Sequence, residues 1–165
     1  MSVNNSKPIH HHWDIFCTVV DNYGDIGVTW RLAKQLVAEY DIPINLWVDD
    51  LQSFSHILPM LDPHKSKQIF NGVNIFQWNN PLDIEFIAGN VVIEAFACEL
   101  PSQIKSIISQ LHQPPLSQAP TWLNLEYLSA EDWVEGCHGL PSSQPSGVKK
   151  WFYFPGFTPK TGGLI

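Results

Sequence analysis

The sequence predicts an α/β domain: a Rossmann-like parallel sheet flanked by helices. Three observations lead there. Short apolar runs, such as Ile15–Val20, Ile42–Val48 and Asn90–Phe96, are too brief for helices and read as buried strands. Amphipathic stretches of helical period lie between them, and Asp, Asn, Gly and Pro mark the breaks. Strands that alternate with helices need crossover connections, which favour parallel pairing.

Residues 1–12 are polar, contain Pro8 and read as a disordered tail. Within it, His10-His11-His12 is a histidine tract, but alternate side chains entering a strand point to opposite faces and do not converge on one ion. The first strand, Ile15–Val20, breaks at Asp21-Asn22-Tyr23-Gly24-Asp25. A helix follows from about Ile26, with Ile26, Trp30, Ala33, Leu36 and Val37 on one face. Ile42–Val48 is the second strand, and Leu51–Leu61 a short helix after Asp49-Asp50. Gln68–Trp78, around Asn71-Gly72, holds one strand or a small hairpin. Pro81–Ala88 is expected to be a short helix opened by its proline. Asn90–Phe96 is a strand, Pro101–His112 a helix stopped by Pro114-Pro115, and Thr121–Leu125 a strand. Ser129–Asp132 reads as the cap and first turn of a short helix. Gly136–Gly147 is expected to be a loop, and Lys149–Phe154 the last strand.

Composition narrows the function classes. The net charge of −7 and the absence of a Lys/Arg stripe argue against nucleic acid and suit a basic partner. Cys17, Cys98 and Cys137 are odd in number and never spaced CxxC, and no signal peptide is recognisable, so a cytoplasmic location with reduced thiols is expected. No apolar run reaches membrane-span length.

In parallel sheets, ligands bind beyond the carboxyl ends of the strands. Those ends nominate Asp21 and Asp25, Asp49 and Asp50, Glu94 to Glu99, and Glu126 with Tyr127, an acidic and aromatic rim. Gly24-x-x-Gly27 is not a full dinucleotide fingerprint, and no P-loop is present. The loop chemistry leaves several readings open: Asp21 forms a turn and Asp25 caps a helix, or the two carboxylates act as a base pair or hold a cation; metal binding would need more ligands than the loop supplies. Cys137-His138 lacks a third orienting group for nucleophilic catalysis, and Cys17 reads as a packed core thiol.

Several long segments carry a family resemblance: Trp13–Cys17, Val20–Ala33, Val92–Pro101, Leu123–Val134, His138–Pro141 and Phe154–Gly163. Together, and in this order, they closely resemble the EarP family, bacterial protein-arginine rhamnosyltransferases that act on translation elongation factor P. The resemblance implies an inverting glycosyltransferase of the GT-B type. Residues 13–154 would be its Rossmann-like, acceptor-binding N-terminal domain. Residues 155–165 would begin the linker to a C-terminal domain that holds most of the donor, dTDP-β-L-rhamnose. It implies a protein partner, elongation factor P, and neither metal nor cofactor. The family's catalytic aspartates fall on Asp21 and Asp25; Asp21 is assigned as general base and orienter, Asp25 as support for the loop and the guanidinium. Asn22, Tyr23, Gly24, Gly27, Glu126, Tyr127, Gly156, Thr161, Gly162 and Gly163 are the expected substrate-binding residues. The chain alone is expected to be inactive. Two alternatives stay open: a non-catalytic docking module for a basic protein loop, and a nucleotide-binding domain of an oxidoreductase.

Overall fold

The computed structural model of the chain describes residues 11–20, 23–79, 81–83, 85–114 and 118–165. Its elements are β1 (Trp13–Cys17), α1 (Gly24–Tyr40), β2 (Ile44–Val48), α2 (Leu51–Ile57), β3 (Lys67–Phe70), β4 (Val73–Gln77), β5 (Val91–Ala95), α3 (Ser102–His112), β6 (Thr121–Leu125), α4 (Val134–Cys137), β7 (Pro141–Ser143) and β8 (Lys149–Tyr153).

The strands form one eight-stranded sheet in the order β3-β4-β2-β1-β5-β6-β8-β7. From β4 to β8 every neighbouring pair is parallel. The two edges are antiparallel, so the sheet is mixed rather than wholly parallel, which corrects the expectation from strand–helix alternation. The reason is local. Asn71 and Gly72, at φ +50° and +78°, make a two-residue turn between β3 and β4. So short a link can only return the chain antiparallel. At the other edge Gln144 N donates to Val148 O at 2.9 Å, closing the turn between β7 and β8 inside a segment expected to be only loop.

Side-chain alternation along the parallel strands builds a core on each face. On one, Ile15 and Cys17 of β1 meet Ile26, Trp30 and Ala33 of α1, and Leu51 and Phe54 of α2. On the other, Phe16 meets Trp47, Trp78 and Phe86, with Ile104 and Ile108 of α3 in the same cluster. A sheet buried on both faces requires near-continuous apolar strands, which is the pattern seen in the sequence.

Two helical expectations change. The described part of Pro81–Ala88 is not helical. Instead it lays Phe86 edge-on against Phe16 and Trp47, at 5.8 and 5.6 Å between ring centroids. Eight residues are too few for helix propagation to compete with such docking. The segment after Ser129 becomes helical only at Val134; Ser129 Oγ accepts from Glu131 N at 3.1 Å, a local turn rather than a helix cap.

Candidate active site

The chain runs outward from β1 to β2 and β4, then returns to the far side of β1 and proceeds through β5, β6 and β8. The order therefore reverses between β1 and β5, the position at which open sheets of this kind hold their ligand crevice. Register puts the strand ends level: Val48, Cys17, Ala95, Leu125 and Tyr153 are successive partners across the sheet. The residues that follow them share one rim.

At that crevice sits Asp25, in the first turn of α1 and 1% exposed. Its Oδ1 accepts from the Tyr127 hydroxyl at 2.8 Å, and its Oδ2 from the Val20 amide at 3.3 Å. The pair Asp25–Tyr127 spans 102 positions of sequence and links the β1 loop to the β6 loop. Asp25 is therefore not a helix cap. α1 starts earlier than expected, at Gly24, and its N-cap is Tyr23, without a side-chain cap bond. The carboxylate turns instead to the loop in front of the helix.

A second carboxylate holds the same loop. Asp49 Oδ1 accepts from the Val19 amide at 2.9 Å, and burial pushes its carboxyl above the ordinary range. Asp50 serves α2: it caps the helix by accepting from Ser53 N at 2.9 Å and Ser53 Oγ at 2.6 Å, and these bonds hold its carboxyl below the ordinary range.

The other expected residues distribute as follows. Asp21 and Asn22 lie outside the described residues. Tyr23 is half exposed, edge-on to His56 at 5.9 Å. Gly24 and Gly27 lie in the first turn of α1, where Gly27 N donates to Tyr23 O. Glu126 accepts from Asn124 Nδ2. Gly156, Thr161, Gly162 and Gly163 belong to a loop folded back on the end of β8. Gly156 N donates to Gly163 O at 3.0 Å, Gly162 N to Phe154 O at 2.8 Å, and the Tyr153 hydroxyl to Gly162 O at 2.6 Å. A Cβ on Gly162 would overlap the Tyr153 ring, so this close approach requires glycine.

Reasoning from sequence missed one feature. Phe96 and Ala97, directly after β5, have φ of +57° and +55°. Such backbone costs a non-glycine residue about 1–3 kcal/mol and concentrates at functional sites. Phe96 stacks on Tyr127, with ring centroids 4.4 Å apart and planes 14° apart. No local signal announces it, because left-handed residues outside glycine are mostly Asn or Asp. Two other candidates become structural. His138 Nδ1 accepts from Phe154 N at 3.1 Å, and Cys98, buried, donates to Phe16 O while burial pushes its thiol up. Among the described residues no group of three or more His, Cys, Asp or Glu is placed to hold a metal ion, and no helix is long and apolar enough to cross a membrane.

The fold and rim define an α/β domain with acidic and aromatic residues joined at the sheet reversal. The chain belongs to the EarP family: the model described as elongation factor P (EF-P) rhamnosyltransferase EarP matches residues 13–165. Among curated relatives, the protein-arginine rhamnosyltransferase of Shewanella oneidensis is 71% identical over 154 residues, covering 93% of this chain and 39% of the relative. That of Pseudomonas putida is 57% identical over 153 residues, with the same coverage, and that of Neisseria meningitidis serogroup B is 42% identical, covering 92% of this chain and 37% of the relative. The chain thus spans well under half the length of these relatives.

Proposed function

We propose that this chain is the acceptor-side domain of an inverting protein-arginine rhamnosyltransferase, the Rossmann-like N-terminal half of a GT-B enzyme. The acceptor is an arginine of elongation factor P, and the donor is dTDP-β-L-rhamnose, held mainly by a second domain. The observation that carries this reading is the linked Asp25–Tyr127 pair at the sheet reversal, in a chain of the EarP family. Nucleotide-binding oxidoreductase chemistry is disfavoured by the incomplete glycine pattern.

The chemistry follows from the guanidinium. Arginine is protonated and delocalised, and is a poor nucleophile until one nitrogen is oriented and relieved of a proton. A carboxylate can grip the planar fork and aim one nitrogen at the anomeric carbon. As the N–C1 bond forms, the C1–O bond to the nucleotide breaks and its electron pair leaves with dTDP. The nitrogen's acidity rises and its proton passes to the carboxylate. Asp21 is assigned this role, and Asp25 supports the loop through Val20 and Tyr127. One displacement with one base inverts C1, giving the α-linked product from the β-linked donor. The reading needs no metal or cofactor. The reading assigns Gly156 and Thr161–Gly163, with Asn22, Tyr23, Gly24, Gly27, Glu126 and Tyr127, to contacts with the substrates.

A titration tests the acceptor side. The 165-residue chain should bind unmodified elongation factor P weakly, with affinity falling as salt rises, because an acidic rim meets a basic loop. Mixed with dTDP-β-L-rhamnose, it should not transfer sugar. Robust transfer by the chain alone would overturn the half-enzyme assignment, and absence of binding at high protein concentration would overturn the acceptor-side assignment.

A further inference from the structure

The strained exit from β5 has a traceable consequence. Phe96 N donates to Leu125 O at 2.7 Å, which carries the chain across toward β6. The left-handed backbone of Phe96 and Ala97 then lays the Phe96 ring flat against Tyr127. Tyr127 is 55% exposed, and the Phe96 stack and the Asp25 bond both hold its ring. Asp25 in turn accepts the Val20 amide, the last described residue before the candidate base. The contacts run without a gap from a strained strand end to Val20, joining the segments that follow β1, β5 and β6.

We propose that Phe96 is a positioning residue: its strained backbone and stacked ring hold the Tyr127 hydroxyl on Asp25, and through Asp25 fix Val20, just after β1. The proposal deepens the reading of that loop as the arginine site, and its functional half rests on that reading. Phe96 itself touches no reacting atom. Its contribution is geometric, and a loop misplaced by even a fraction of an ångström loses much of the advantage of orientation.

Two measurements separate the proposal from the reading beneath it. The first is the backbone order parameter of the Val20 amide, by ¹⁵N relaxation of the 165-residue chain. Phe96→Leu should lower it, because an aliphatic side chain cannot stack; Tyr127→Phe should lower it too, because the ring stays and only the hydroxyl goes. Ala97→Gly should leave it unchanged, since glycine adopts the same backbone freely. The amides of Ile15 and Cys17 should not respond to any of the three. The second is rhamnosyl transfer by the full-length enzyme carrying Phe96→Leu, where kcat should fall about 10-fold to 100-fold with KM for elongation factor P nearly unchanged. A Val20 amide as rigid in Phe96→Leu as in the unsubstituted chain would overturn the proposal, as would softening by Tyr127→Phe alone. Softening by both with transfer intact would uphold the positioning and refute the arginine-site reading of the loop.

Discussion

Asp14 lies at the foot of β1, fully buried; three donors converge on it, Asn45 Nδ2 at 3.2 Å, Trp47 Nε1 at 2.9 Å and Gly89 N at 2.8 Å, and the His12 ring faces it, with Nε2 3.3 Å from Oδ2. A buried carboxylate survives only when paired and hydrogen-bonded in this way. Asp14→Ala should therefore strand several donors and cost about 3 kcal/mol, read as a lower urea midpoint, since each unsatisfied buried group costs roughly 1–3 kcal/mol. A change within the range of an ordinary surface substitution would show that the cluster relaxes without it. His12 supplies a pH signature. Its hydrogen bond to Asp14 raises its pKa above the ordinary 6.5. A raised folded pKa means that the protonated pair stabilises the fold fully below pH 6.5, and that this contribution is lost as pH rises through the folded value. The urea midpoint should fall across that window, and His12→Gln should flatten the fall. Asp14 and His12 serve the end of the sheet opposite the crevice, so neither substitution should alter the Asp25–Tyr127 link.

Among the elements, β1 decides most. Phe16 stacks on Trp47 at 5.4 Å with planes 7° apart and meets Trp78 and Phe86 edge-on. Phe16→Ala should cost about 3–5 kcal/mol by opening a cavity among rings that cannot collapse into it. Differential calorimetry would check this, and a loss under 1 kcal/mol would contradict the packing described. At α2, Asp50→Ala should remove about 1 kcal/mol, the worth of an N-cap. Hydrogen bonds from Ser53 lower the Asp50 pKa, so its contribution is present above pH 3.8 and is lost as pH falls through the folded value. The parallel strands and α1 were legible because apolar periodicity is dictated by which face is buried, and β1, β2, β5 and β6 are buried on both. The antiparallel edges were harder. β7 is three residues long, with an exposed proline at its start, and carries no alternation to read. The expected helix at Pro81–Ala88 failed because Phe86 has a better partner in Phe16 than in its own neighbours. At the site, Asp25 and Tyr127 stood out separately as residues at strand ends, whereas their contact depends on the register of β1, β5 and β6, which no local pattern encodes. Phe96 was invisible for the same reason: its backbone is imposed by the junction, not preferred by the residue.

For the whole molecule, the sheet brings the ends of β1, β5 and β6 level and so joins Asp25, Phe96 and Tyr127 across it. The relatives it matches are more than twice its length. The decisive measurement is the intact mass of elongation factor P after incubation with dTDP-β-L-rhamnose and the full-length enzyme that contains this domain, with and without Asp21→Asn. The account predicts one added deoxyhexose on a single arginine with the unsubstituted enzyme, and none with Asp21→Asn although the variant still binds the acceptor. Full transfer by Asp21→Asn would contradict it.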